Sequence, residues 1–448
     1  MNTAVTGGGI ALEANSEVTL AAKASIQVNT ASRNGGGIWT DSSTVVLRDG
    51  ASISNNIADM FGGGVYAASS EVTCSDTSAI DDNQAIYGSG AYLIDSAKLL
   101  LADRTSLSRN VASEAGGAAY VVTSAWLKVR GGTINDNVAG SGGGGLSIGF
   151  QGILDVIGLT ANGNDARQSG GVMALDSTAD VINFVGVNCS RNYALRGGVA
   201  YINSGGTLTI NGSLLSENSA EYGGVYFVDA NAALTSENNV HIGSWTNAGA
   251  GAVLYATLGS IVSMDRDWFE GGSAQGAAGA LYVEFATSVA LIDATFLKNK
   301  ASQQGGSAYI TKSPTTIIDC EFHSNYASSG AALYIESSAV VLIGSNITGN
   351  AATSNGGGIS VTSSGSTVDI EKTMIAGNTA GGAGAGLYVV SSSVLSLRNS
   401  NVSGNAAGTS GGGGAYVSES TVDASQVLVL SNTADGVSRS GCRIVFVA

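Results

Sequence analysis

Short apolar runs alternate along the whole chain with clusters of Gly, Ser, Asp and Asn, and no i, i+3, i+4 apolar stripe develops anywhere. Segments such as Thr44-Val45-Val46-Leu47 fit strands with one buried face better than helices. The pattern repeats. An Asn preceded three positions earlier by an apolar residue recurs as Ile53 and Asn56, Ile80 and Asn83, Leu107 and Asn110, Ile134 and Asn137, Phe322 and Asn325, Ile375 and Asn378, and Val402 and Asn405. The same column takes in Asn29, Asn164, Asn192, Asn218, Asn247, Asn299, Asn350 and Asn432, at spacings of 25 to 29 residues, with Gly272 standing once in place of Asn. Alanine occupies the second position after the column in 15 of 16 repeats, Gly249 being the exception.

A second signature follows each Asn: Gly35-Gly36-Gly37-Ile38-Trp39, Gly62-Gly63-Gly64-Val65-Tyr66, Gly116-Gly117-Ala118-Ala119-Tyr120 and Gly384-Ala385-Gly386-Leu387-Tyr388. Eleven of the 15 tyrosines fall in its last column, among them Tyr201, Tyr226, Tyr255, Tyr282, Tyr309 and Tyr334. Their neighbours are apolar, so period two turns the aliphatics inward and the tyrosines outward. Gaps fall at Ser147, Met173 and Ser360. Three short strands per turn of about 27 residues, joined at polar corners, predict an all-β parallel β-helix of about 16 turns. The crossover preference makes it right-handed. Asn56, Asn83, Asn110, Asn137, Asn325, Asn378 and Asn405 then form a stacked, structural amide ladder. A single continuous β-helix is expected over residues 1–448, as a segment of a larger protein, because neither end shows a polar closing turn.

Composition agrees with this reading and removes others. Glycine occurs 65 times and proline once, and 44% of residues are hydrophobic, which excludes both collagen and a disordered chain. Nearly every strand must donate its N–H groups on both sides, so the single proline, Pro314, is expected at a corner. A net charge of -15 argues against nucleic acid, and no apolar run is long enough for a transmembrane helix. Cys74, Cys189, Cys320 and Cys442 lie more than 100 residues apart and read as isolated thiols. No signal peptide is visible at the N-terminus.

The paired motifs, Gly-Gly-Ala/Gly-(Ile/Leu/Val) and Phe-x-x-Asn, resemble the repeats of the chlamydial polymorphic outer membrane proteins. They are seen in Phe296-Leu297-Lys298-Asn299, Phe322-His323-Ser324-Asn325, Gly116-Gly117-Ala118-Ala119 and Gly62-Gly63-Gly64-Val65, while Phe269 departs from the pattern through Gly272. The resemblance implies a right-handed β-helical passenger of an autotransporter adhesin, displayed at the cell surface or secreted.

Two surface features could carry chemistry. Aligned on the Asn column, the sixth position before it reads His241, Arg266, Asp293 and Asp319, and the fourth includes Trp268 and Glu321. Asp293 and Asp319 are expected about 5 Å apart across a rung, able to bind a sugar or Ca²⁺ or to run acid/base chemistry, with Arg266 offsetting Asp293. The tyrosine stripe, with Trp268 and His241, is the expected binding surface for a glycan or protein ligand. No Ser-His-Asp arrangement or His/Cys metal cluster is visible, so no cofactor is expected and the leading reading is a non-enzymatic adhesin-like scaffold. A carbohydrate-active enzyme centred on Asp293, Asp319, Glu321 and Arg266 is the alternative, and a passive structural spacer the third.

Overall fold

A computed structural model describes residues 2–102, 104–175, 182–408, 411–435 and 444–447. Among these residues the regular elements are all strands, and no helix is long and apolar enough to cross a membrane. The fold is a right-handed parallel β-helix of about 16 turns. The chain divides into two compact units, the first comprising Met1–Ala220 with Val225–Phe227 and the second Glu221–Gly224 with Val228–Ala448.

One turn of the first unit shows how the repeat folds. Its strands are Ile38–Asp41, Thr44–Leu47, Ser52–Ser54 and Ile57–Ala58. Each pairs in parallel with its counterpart a turn later, so that Val65 faces Ile38, Glu71 faces Thr44, Ala79 faces Ser52 and Gln84 faces Ile57. There are four strand segments per turn where the spacing predicted three. The extra one begins immediately after the Asn, and its inward residue is the recurrent alanine, here the buried Ala58. Ile38, Val45, Leu47 and Ile53 fill the interior of the same turn with no exposed surface. Burying apolar side chains supplies the main favourable term, about 25 cal/mol per Å².

Positive φ is not left to glycine alone. The corners of this turn use Ser42, Asp49 and Asn55 at φ 50°, 56° and 55°. Short polar side chains tolerate this left-handed region by bonding locally. The Gly-Gly-Gly signature has a second purpose, which is room. At Gly64, where φ is not positive, an added Cβ would lie 2.6 Å from the Gly90 carbonyl oxygen, 2.7 Å from Ile80 Cγ2 and 3.0 Å from Asn83 Nδ2. Glycine therefore lets the strand seat directly on the amide ladder.

That ladder is continuous within the first unit from Asn29 to Asn218. At Asn110 the amide Nδ2 donates to Asn137 Oδ1 at 3.2 Å and to the Ile80 carbonyl at 3.0 Å. Its Oδ1 accepts from both the backbone N–H and Nδ2 of Asn83 at 3.0 and 3.1 Å. Asn56, Asn83 and Asn137 repeat these bonds. In the second unit the ladder runs from Asn299 through Asn325, Asn350, Asn378 and Asn405 to Asn432. Hydroxyls form a parallel device at other corners: the Ser345 N–H donates to Thr373 Oγ1, and the Thr373 N–H to Ser400 Oγ.

The interior of the second unit carries an aromatic stack in which Phe269, Phe296 and Phe322 lie ring on ring at 4.6 and 4.8 Å. Pro314 sits at an exposed corner just before the strand Thr315–Ile318, where its carbonyl accepts the Val289 N–H and no donor is required of it. Cys74, Cys189 and Cys320 are buried free thiols, the first two pushed up to about 12 by burial, and Cys442 lies outside the described residues.

Truncating one ladder amide strands several buried partners at once. Asn110→Ala is expected to cost about 3 kcal/mol or more, and Gly64→Ala a comparable amount through clash, whereas Ser25→Ala on the exposed surface should cost under about 0.5 kcal/mol. Chemical denaturation with hydrogen exchange on the flanking turns measures all three. An Asn110→Ala protein as stable as wild type would remove the ladder from its structural role.

Candidate functional site

The ladder is interrupted at two adjacent rungs of the second unit, and the interruption relocates one predicted site residue. Strand pairing sets Val240, His241 and Ile242 opposite Trp268, Phe269 and Glu270, and Trp245 opposite Ser273. The ladder position before Gly272 is thus Ser244, which is buried, while Asn247 is exposed three residues further on. His241 consequently belongs to the inward column. It is 1% exposed and stacks on Phe269 at 4.8 Å, so it is not a surface binding residue. Burial lowers its pKa to about 3, which keeps the ring neutral. In the same layer Asp267 is buried, with Oδ1 accepting the Asn239 N–H at 2.7 Å, and desolvation raises its carboxyl to about 7.

The tyrosine stripe also needs one correction. Tyr226 is fully buried in the inward position of its strand, and Phe227 takes the outward place, 5.6 Å from the Tyr201 ring. In the same way Ala174, paired with Tyr201, occupies the stripe where Met173 was expected, and Met173 points inward. Gly-Gly-Val-Tyr and Gly-Gly-Val-Met replace the usual third glycine by valine, which moves the outward place one residue along. In the first unit part of the stripe is covered: Tyr92 is 9% and Tyr201 6% exposed, and Phe61 lies 4.6 Å from the Tyr92 ring.

Tyr255, Tyr282, Tyr309 and Tyr334 form a half-buried stack in the second unit, with rings 4.7, 5.1 and 5.0 Å apart and within 18° of parallel. The ring faces between these neighbours are closed. A sugar ring laid flat would find edges and hydroxyls rather than an open aromatic face. Tyr255, Tyr282 and Tyr309 line a groove of about 290 Å³ together with Tyr222, Gly249, Gly276, Gln303 and Gln304. The Tyr282 hydroxyl donates to Glu284 Oε2 at 3.4 Å, and Tyr309 to Glu336, whose other oxygen accepts from Ser363 at 3.0 Å. Burial first, and the adjacent carboxylates second, raise both phenols above their ordinary value. Phenol and amide groups in one shallow cleft, the phenols bonded to carboxylates, suit a polyhydroxylated ligand. Glu284 and Glu336 end the strands that carry Tyr282 and Tyr334, whereas the glutamines lie on a loop that the strand pattern does not reach.

Register sets Asp293 beside Asp319, but Arg266 does not offset Asp293 as expected. Arg266 bonds Asn238 Oδ1 at 2.9 Å and pairs with Asp265 at 2.8 Å and with Glu237, not with Asp293. Asp293 and Asp319 occupy left-handed corners at φ 51° and 52°, and Glu321 opens the next strand; all three are exposed. Trp268 is 38% exposed, its indole N–H donating to Glu270 at 3.1 Å, on a strand away from the groove. Among the described residues no group of three or more His, Cys, Asp or Glu is placed to hold a metal ion.

A family model for the right-handed beta helix region matches residues 271–445, within the second unit. Neither a curated protein nor a solved structure matches the chain.

Asp267 generates a pH dependence of known sign. Its folded-state pKa lies above that of an unfolded carboxyl, so its contribution is fully present below about pH 4 and is lost as the pH rises through about 7. Asp267→Asn keeps the acceptor for Asn239 and carries no charge. The variant should exceed wild type by on the order of 2–4 kcal/mol at pH 8 and match it near pH 4. Urea midpoints across that range test this, and parallel profiles for the two proteins would contradict a neutral buried Asp267.

Proposed function

We propose that the chain is a non-enzymatic, adhesin-like binding scaffold that acts outside the cell and takes a glycan in the groove beside Tyr255, Tyr282 and Tyr309. The observation that carries this reading is the groove itself, lined by Tyr255, Tyr282, Tyr309, Gln303 and Gln304, with Glu284 and Glu336 bonded to the hydroxyls of Tyr282 and Tyr309. Rigid strands hold every tyrosine in register, so little ordering entropy opposes binding. The resemblance of the repeat motifs to surface passengers supports the extracellular setting, as does an acidic chain of low charge density. The carbohydrate-active alternative loses support because Arg266 is already paired with Asp265 and Glu237 and the three carboxyls stand exposed at the surface.

A glycan array probed with wild type and with a Gln303→Ala/Gln304→Ala variant tests the assignment. Wild type should bind a restricted set of glycans, and the variant, whose changes lie outside the buried core, should lose at least about tenfold in affinity. Absence of binding above a control β-helix, or equal binding by both proteins, sinks the reading.

A further inference from the structure

The second strand of each turn in the second unit sends alternate side chains outward, and most of these turns carry charge there. Glu237 and Asp265 do so on one side, and Asp369, Glu371 and Arg398 on the other. The three turns between them carry none. Strand register stacks Ile292, Ile318 and Ile343 in one column and Ala290, Thr316 and Val341 in the next. Ile292 and Val341 are each 37% exposed. Outward isoleucines on a strand whose inward positions are already filled by Leu291, Ile317 and Leu342 gain nothing from the interior.

The patch is bordered by acid. Asp293 and Asp319 follow Ile292 and Ile318 at the corner, and Glu321 begins the next strand, all exposed. Neighbouring arginines do not neutralise them: Arg266 is held by Asp265 and Glu237, and Arg398 by Asp369 at 2.7 Å and Glu371 at 3.9 Å.

We propose that this face docks a short basic amphipathic segment of a partner protein, its apolar side chains over the isoleucine column and its Lys or Arg groups toward Asp293, Asp319 and Glu321. Charge decides among occupants. A second copy would bring the same acidic border and a net charge of -15 against itself. A glycan would find aliphatic carbon rather than hydrogen-bonding groups. The strands are paired on both sides, so the segment cannot add as a further strand and binds through side chains alone. Three rungs span about 10 Å and a five-residue strand about 17 Å, a face of under about 200 Å² against the roughly 800 Å² per partner of a stable folded interface, so a short segment fits and binds weakly. The inference is independent of the tyrosine groove.

Isothermal titration of the full chain with a dodecapeptide alternating Leu and Lys, and with its Leu and Glu counterpart, tests it. The Lys peptide should bind and the Glu peptide should not. Ile318→Ser and Val341→Ser should each weaken binding about threefold or more, and Asp293→Asn/Asp319→Asn/Glu321→Gln about tenfold with a shallower salt dependence. Gln303→Ala/Gln304→Ala should leave it unchanged. Loss in the charge variant but not in either serine variant would reduce the contact to general electrostatics and overturn the proposal. Equal affinity for both peptides would do the same, as would a concentration-dependent dimer abolished by Ile318→Ser.

Discussion

A carboxamide can be kept out of water only when its two N–H donors and its oxygen all find partners, and the whole fold turns on meeting that condition at one corner of each turn. A lone buried Asn would be a liability. Stacked at the solenoid repeat, each amide donates to the next and accepts from the one before, as Asn83, Asn110 and Asn137 do. The remaining donor closes on a strand carbonyl, Ile80 in the case of Asn110. The corner is thereby fixed in register, because a slip of one residue would leave an amide unpaired on two rungs. The glycine signature follows from the same requirement, since Gly64 must leave space for Asn83.

Where the requirement is relaxed, the interior changes character. At Ser244 and Gly272 the amide is missing, and the layer instead buries His241 against Phe269 and Asp267 against Asn239. Gly272 still donates its N–H to Asn299 at 2.9 Å, so the ladder resumes without a change of pitch. Titratable groups are concentrated at this break, but both are sealed from solvent, with the His241 ring kept neutral and the Asp267 carboxyl raised to about 7. Their effect is on stability rather than on a reaction at the surface.

Once the interior is fixed by ladders, the exterior is free to vary turn by turn. Tyrosines at the repeat distance stack face to face, closing the surfaces that a lone aromatic would offer, and the useful chemistry moves to their hydroxyls and to the opposing loop. On another strand three turns exchange charge for isoleucine and valine while the acidic corners continue. Two surfaces of unlike chemistry therefore coexist on one unit without any change in the backbone that carries them.

The strand repeat, the inward columns and the Asn ladder were legible in the sequence because they are periodic: each residue meets its own kind one turn on, so spacing is equivalent to contact. Ile53, Ile80 and Asn110 needed no further information. The fourth strand was not legible because a two-residue segment such as Ile57–Ala58 leaves no alternation to read. Register at the interruption was decided only by tertiary structure. Asn247 and Ser244 compete for one position in the sequence, and the pairing of Trp245 with Ser273 selects Ser244, which carries His241 inward. Tyr226 likewise matched its column by residue type but not by count. The partners of Arg266 and the groove wall at Gln303 and Gln304 were beyond the sequence for the same reason: long side chains and loops obey no period, and only the folded chain says what they meet.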